Sequence, residues 1–371
     1  MTVLLLLLGL ALFLFGLGSL FQRRWHRGLA FTVTFAQAAA REGGRAQVIE
    51  TVENRKALPL PVLRATFEID RSLVFEGQEN VSVSDRCYKQ DVFSLLFYQR
   101  VERTLNLTCT HRGFFRVERA DVIASAPLLD REHARAFAQQ TSLCVYPREA
   151  DPSRLEIPFR HLTGALRVRR FVLEDPFTFR GIREYAPGDA MNAVNWKASA
   201  RTGSLMVNQR DTTASQAAMV LLNVEDDTSW YDEEIHEEAI RVAAGLCMRL
   251  CDAGVRVGLR TNGRDLETGE ALCVPAGIGE RQRALLMTAL ARIDLKRRAE
   301  PFETFLRDEA LLGREDAPLY VLVSKSQRPP VRAAFLDMGG ALMVVPLRAD
   351  GVLSPAPKGG FDVLRWEVEA S

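Results

Sequence analysis

Residues 217–254 read "AAMVLLNVEDDTSWYDEEIHEEAIRVAAGLCMRLCDAG", and this run decides the class of the second half of the chain. "AAMVLLNV" is a continuous apolar run, the mark of a strand buried on both faces. Acids then open a helix in which Ile235, Ala239, Val242, Leu246 and Leu250 keep helical spacing, and Gly254 stops it. The alternation continues with a strand "VRVGLRT", an edge strand "EALCVPA", helices "ERQRALLMTALARI" and "FETFLRDEAL", a strand "PLYVLVS", a helix "PVRAAFLDM" and a strand "ALMVVPL". Strands alternating with helices imply an α/β domain on a mainly parallel sheet. Its expected span is 216–350, with 351–371 as a tail.

Upstream the period changes. From 29 to 126, "AQVIETVEN", "LRATFEID", "ENVSVSD", "RTLNLTCT" and "GFFRVERADVIAS" alternate apolar and polar residues between turn-formers such as Gly43-Gly44, Pro59 and Gly77. Short strands at this spacing predict a small β-sandwich. "SLLFYQRVE" is read as a further strand. A connecting section, 127–215, opens with "LLDREHARAFAQQ", a short helix or a loop, followed by a strand "SLCVYPRE" that ends at Pro147.

The N-terminus holds "VLLLLLGLALFLFGLGSLF", Val3 to Phe21, without a charge. As a helix it reaches roughly 28 Å, close to the hydrocarbon core of a bilayer. Arg23, Arg24 and Arg27 follow it, and no Lys or Arg precedes it. A secretory signal wants its charge before the apolar core. The expectation is a retained single span over 1–22, contacting the lipid bilayer through residues 3–21, with the rest cytoplasmic. A cleaved signal peptide is the alternative.

Composition narrows the function. The chain has 371 residues, 47% hydrophobic and 26% charged, enough for two or three cored domains. Its formal net charge of +1 argues against nucleic-acid binding through bulk charge. The 6 cysteines form no CxxC pair and fit a reduced compartment.

Anchor, sandwich, "REYAPGDAMNAVNWKASAR" at 183–201 and an α/β domain, in that order, resemble the bacterial domain-of-unknown-function-58 family. Arg183, Glu184, Tyr185, Pro187, Gly188, Asp189, Val194, Trp196, Lys197, Ser199, Ala200 and Arg201 carry the resemblance, which extends over the chain from Leu29 onward. It implies a terminal domain similar to von Willebrand factor A domains. It also implies genes beside those of MoxR-type AAA+ ATPases, and hence protein partners with such an ATPase among them. Two features depart from the family: Asn192 stands where Arg is usual, and a single apolar span is visible where many members have two. The expected fold class is therefore a membrane-anchored α/β plus all-β chain, an Ig-like β-sandwich followed by a von Willebrand factor A-like (Rossmann-like) domain.

A metal-binding von Willebrand A domain uses Asp-x-Ser-x-Ser after its first strand, hard oxygen donors for Mg²⁺ or Mn²⁺. Here Asn223 takes the Asp position. Glu225, Asp226, Asp227 and Thr228 still cluster at a strand's C-terminal end, where α/β domains place ligands. Capping of the next helix explains them without a metal, and no cofactor is expected. His26, His111, His133, His161 and His236 lie in no hydrolase motif. Nine Arg or Lys against four acids between Arg160 and Arg210 fit a solvated face better than anionic lipid.

In the family segment, Pro187-Gly188 is a turn and Asp189 the expected N-cap of a helix from Ala190 to about Arg201, stopped by Gly203. Met191, Val194 and Ala198 form one face, and Asn192, Trp196 and Ser199 another. Two such faces predict a helix wedged between the two domains, with Trp196 buried and Arg183 and Arg201 pairing with Asp189 or Glu184. These expectations favour a non-catalytic, membrane-anchored scaffold. A metal-dependent ligand-binding module and a cell-envelope hydrolase are the alternatives.

Overall fold

The computed structural model describes all residues except 1, 78–80, 84–86, 126–130, 173–178, 187–190, 192–193, 211–216, 227–231, 312–317, 358–359 and 369–371. The chain divides into two compact units, Met1–Arg148 and Glu149–Ser371.

The first unit begins with helix α1 (Thr2–Arg24) and continues as strands β1 (Leu29–Phe35), β2 (Ala39–Arg41), β3 (Arg45–Asn54), β4 (Leu60–Ile69), β5 (Leu73–Phe75), β6 (Val81–Val83), β7 (Cys87–Leu95), β8 (Arg100–Cys109), β9 (Gly113–Ser125) and β10 (Glu132–Tyr146). They form a four-stranded sheet, β1-β3-β8-β5, and a six-stranded sheet, β2-β10-β9-β4-β7-β6. Phe31, Val48, Val52 and Leu107 from the first sheet and Leu63, Phe67, Phe93 and Val122 from the second share one core. Alternation builds it: β7 buries every second residue from Cys87 to Leu95, as a strand with one face inward must.

Two local readings are corrected here. "SLLFYQRVE" contains the turn between β7 and β8 rather than one strand. In "LLDREHARAFAQQ", whose first three residues lie outside the described ones, the part from Glu132 on belongs to β10, neither helix nor loop. Antiparallel pairing with β9 from Glu132↔Ser125 to Val145↔Gly113 outweighs the helix propensity of its Ala, Arg and Gln residues. At the irregularity between Ala138 and Thr141, Gln139 turns inward and ties down β1, an edge strand. Its Oε1 accepts the Val33 N–H at 2.8 Å and its Nε2 donates to the Phe31 carbonyl at 3.1 Å.

The inward set of β7 also includes Lys89 and Asp91. Arg103 pairs with Asp91 at 2.6 Å, and Lys89 lies 3.7 Å from it. Glu50, 0% exposed, comes in from β3. Burial pushes its carboxyl up to about 8, and the Asp91 charge adds to the rise. Neither Glu50 oxygen nor Asp91 Oδ2 has a hydrogen-bond donor among the described residues. A proton on Glu50 supplies one, donated to Asp91.

The second unit comprises α2 (Glu156–Val172), β11 (Phe179–Glu184), α3 (Trp196–Thr202), β12 (Met206–Arg210), β13 (Ala217–Asn223), α4 (Glu233–Asp252), β14 (Arg256–Asp265), β15 (Ala271–Gly277), α5 (Glu280–Ala291), β16 (Ile293–Asp294), α6 (Phe302–Leu311), β17 (Leu319–Ser324), α7 (Pro329–Asp337), β18 (Gly340–Leu347) and β19 (Asp362–Glu367). Its main sheet runs β15-β14-β13-β17-β18-β19. It is parallel from β14 to β19, with β15 antiparallel at one edge. β13 is buried along its whole length. Gly245 of α4 lets the turn before α2 approach, since a Cβ there would meet Leu155 Cδ1 at 2.4 Å.

The tail expected at 351–371 is in part a strand. β19 pairs with β18 from Leu342↔Asp362 to Leu347↔Glu367. Its Trp366 is buried and donates its indole N–H to Glu238 Oε1 at 2.9 Å, and the Arg154 guanidinium lies 4.3 Å from the ring centre.

The expected fold class, a membrane-anchored Ig-like sandwich followed by a von Willebrand factor A-like domain, is corrected. Among the described residues no helix is long and apolar enough to cross a membrane. The last turns of α1 serve the first unit instead: Phe21 and Trp25 enter the sandwich core, and Gln22, Arg23 and Arg24 end the apolar run. Among the described residues the chain is predominantly β-sheet, arranged in four sheets. The von Willebrand label falls too, because its defining metal-site chemistry is not what occupies the end of β13.

Candidate functional site

Two places collect the residues singled out by the sequence: a small module around α3, and the C-terminal ends of β13, β14 and β17.

In the module, β11 and β12 pair antiparallel through Ile182↔Asn208, Arg183↔Val207 and Glu184↔Met206. Val194 bridges to Val207, and both are buried. The Tyr185 N–H donates to the Leu205 carbonyl at 2.8 Å, extending the pairing past β11. Helix α3 is capped by Asn195, whose Oδ1 accepts the Ala198 N–H at 3.0 Å and whose Nδ2 donates to Asn208 Oδ1 at 2.6 Å. Ser199 Oγ donates to the Asn195 carbonyl and accepts the Met206 N–H, each at 2.8 Å. One hydroxyl thus locks the helix to β12. Gly203 closes α3 in the left-handed region, φ 74°, where only glycine rests without strain.

This geometry corrects the wedge reading. The cap is Asn195, and the helix starts at Trp196 rather than Ala190. Gly188 and Asp189, with Pro187, lie outside the described residues. Trp196 is 64% exposed, and Met191, Ile182 and Leu205 are exposed as well. Lys197 and Arg201 are exposed on α3. Arg183 donates to the Glu184 carbonyl at 3.0 Å.

At the strand ends, polar side chains satisfy one another. Asn223 Oδ1 accepts the Glu225 N–H at 2.9 Å and Asn262 Nδ2 at 3.0 Å, and its own Nδ2 donates to Ser324 Oγ at 2.9 Å. Asn262 Oδ1 accepts the Val224 N–H at 2.9 Å. Arg328 reaches Glu225 Oε2 at 2.9 Å, and the same oxygen accepts the Phe302 N–H at 2.9 Å. Asp226 is ion-paired with Lys325, and its Oδ1 lies 3.0 Å from His236 Nε2. His236 is 0% exposed. Its pKa is lowered by burial, with Asp226 pulling the other way and Lys325 adding to the fall.

The two described acids proposed as metal donors, Glu225 and Asp226, therefore face side-chain cations. Asp227 and Thr228 lie outside the described residues. Among the described residues no group of three His, Cys, Asp or Glu is placed to hold a metal ion. The residues present do not fit a divalent ion: one ammonium and one guanidinium stand where its charge would. Lys325, Arg328, Asn262 and Ser324 escaped the sequence reading. The signal was available, since "SKSQR" begins at the last residue of β17 and strand C-termini are where α/β sheets gather polar chemistry.

The fold and these two places define an α/β unit with a side-chain-neutralised strand end and an attached β-α-β module bearing an exposed tryptophan. Residues 181–310 match the family described as "Protein of unknown function DUF58", a region that holds the module and the ends of β13 and β14 but not Ser324, Lys325 or Arg328. The chain is also similar to the "Uncharacterized protein YeaD" of Bacillus subtilis, 23% identical over 318 residues, which are 82% of this chain and 73% of that protein. Among solved structures it is similar to domains D2 and D3 of the major pilin SpaD from Corynebacterium diphtheriae, with TM-score 0.22 and 16% identity over 29% of this chain and 49% of that one. The chain thus spans about half of that pilin fragment. It is similar as well to the CARDB domain of a Pyrococcus furiosus protein, with TM-score 0.21 and 15% identity over 32% of this chain and 93% of that one. Likenesses of this size do not establish a shared fold.

Proposed function

We propose that the chain is a non-catalytic scaffold whose α3 module docks a protein partner. One observation carries this: among its described residues the module buries the apolar side chains Val194 and Val207 and leaves Trp196, Met191, Ile182 and Leu205 in solvent. A large aromatic with apolar neighbours on a hydrogen-bonded support is the usual anchor of a protein interface. Lys197 and Arg201 supply a cationic rim. The family resemblance makes a MoxR-type AAA+ ATPase the partner to try first.

The test uses the full chain and a purified MoxR-type AAA+ ATPase. Trp196→Ala should leave the melting temperature unchanged and weaken binding at least tenfold, as loss of a central aromatic does. Unchanged binding combined with a large loss of stability would return Trp196 to a packing role and end the docking reading.

A further inference from the structure

The end of the sandwich at which α1 meets β1 carries a surface that the fold does not require. The turn between β7 and β8 presents Leu96, Phe97 and Tyr98, all exposed, Tyr98 at 72%. Such turns ordinarily take Gly, Asn, Asp or Ser. Tyr98 has φ 53°, the sole non-glycine with positive φ among the described residues. Glycine or asparagine would relieve the strain and the apolar exposure together. Three large apolar side chains at this tip serve no contact within the unit's core.

Cations surround the tip. The Tyr98 N–H donates to the Lys56 carbonyl at 3.2 Å, the Asn54 N–H to the Gln99 carbonyl at 2.8 Å, and the Arg55 N–H to the Gly28 carbonyl at 2.7 Å. These bonds join the tip, the β3–β4 turn and the segment after α1 into one end face. Arg23, Arg24, Arg27 and Arg135 are exposed there. The His26 pKa is lowered by burial and then by the charges of Arg135, Arg27 and Lys56, which places three cations around one ring. The Lys56 ammonium is shielded from water and has no hydrogen-bond partner among the described residues. The nearby acids are engaged, Glu53 with Arg55 and Glu132 with Arg64.

We infer that this end face docks on the surface of a bilayer containing anionic phospholipid, with Leu96, Phe97 and Tyr98 entering the headgroup layer and Arg27 and Arg135 meeting phosphates. An apolar wedge ringed by cations gains from both parts of such a surface at once. An acidic protein would answer the cations and leave the wedge unmatched. Apolar surface also continues beyond the cations, because α1 leads into this face with Leu8, Leu12, Phe13 and Phe15 exposed. The contact is peripheral and needs no crossing helix. It is independent of the α3 module.

The test uses the full chain carrying Phe97→Cys and Cys273→Ser, since the other cysteines are buried, with an environment-sensitive fluorophore at position 97. Vesicles of phosphatidylcholine with phosphatidylglycerol should blue-shift the emission and protect the label from iodide, and phosphatidylcholine alone should do so less. Arg27→Gln and Arg135→Gln should each weaken the effect about fivefold, the equivalent of one surface charge. A label that iodide still quenches after the chain has joined the vesicles overturns the proposal. So does protection by poly-glutamate with no response to vesicles, which would assign the face to an acidic protein.

Discussion

Lys325 at the end of β17 is ion-paired with Asp226 just beyond β13, 99 residues away in sequence. The pair sets the electrostatics of the strand end. Asp226 is held by an ammonium on one side and the His236 ring on the other, so a divalent ion would have to displace a cation already in place. Millimolar Mg²⁺ should leave the melting temperature of the full chain unchanged. A bound site at 100 times its dissociation constant would add about 2.7 kcal/mol, which calorimetry would resolve.

Removing the ammonium tests the same pair from the other side. Lys325→Ala leaves a mostly buried carboxylate with one partner and should cost about 3 kcal/mol. Because Lys325 depresses the His236 pKa, the His236 titration followed by NMR should move upward in the variant. No movement would mean that the ammonium does not face the ring in solution.

Asn195 and Ser199 should matter for stability where Trp196 does not. Asn195→Ala removes the α3 cap and should cost about 0.5–2 kcal/mol. Ser199→Ala strands the Met206 N–H and should cost about 1–3 kcal/mol. Trp196→Ala should stay within about 0.5 kcal/mol, as for an exposed side chain. Equal losses at all three positions in denaturant titrations would contradict the exposed placement of Trp196.

Glu50 gives the sandwich a defined pH dependence. Its carboxyl is raised to about 8 in the folded chain by burial and then by Asp91, against about 4.3 when unfolded. Between these values the folded state holds the extra proton, so stability falls as pH rises through the window. Glu50→Gln keeps a donor toward Asp91 and should flatten the curve. Urea titrations at pH 5, 7 and 9 would show a variant whose advantage over the parent grows with pH. A constant difference would place the proton elsewhere.

How much of this was legible follows from how locally each feature is encoded. β13 and α4 could be read because an unbroken apolar run and one apolar helix face each announce their burial. β10 could not: its first half is largely exposed, so alternation fails and helix-favouring Ala, Arg and Gln dominate until β9 imposes pairing. Residue type alone does not say whether a tryptophan is inside, and Trp196 was misplaced for that reason. Asp189 was a plausible cap, but Asn195 had the better position, directly before the helix that forms. Lys325 and Arg328 were invisible as partners because their acids, Asp226 and Glu225, follow a different strand about a hundred residues earlier.

Helix α2 is fastened by residues made long after it. His161 meets Asp362 at 2.9 Å across 201 positions, and Arg154 pairs with the Glu367 carbonyl across 213. At ordinary translation speed, about 5–20 residues per second, α2 waits about 10–40 s on the ribosome before those partners emerge. During that time it has α4 to lie against, where Arg249 meets Glu156 and the Phe159 ring, without its ties to β19. Nascent chains arrested at increasing length should accordingly stay protease-sensitive at α2 until β19 has cleared the exit tunnel, making the second unit a domain that locks at its finish rather than growing from its start.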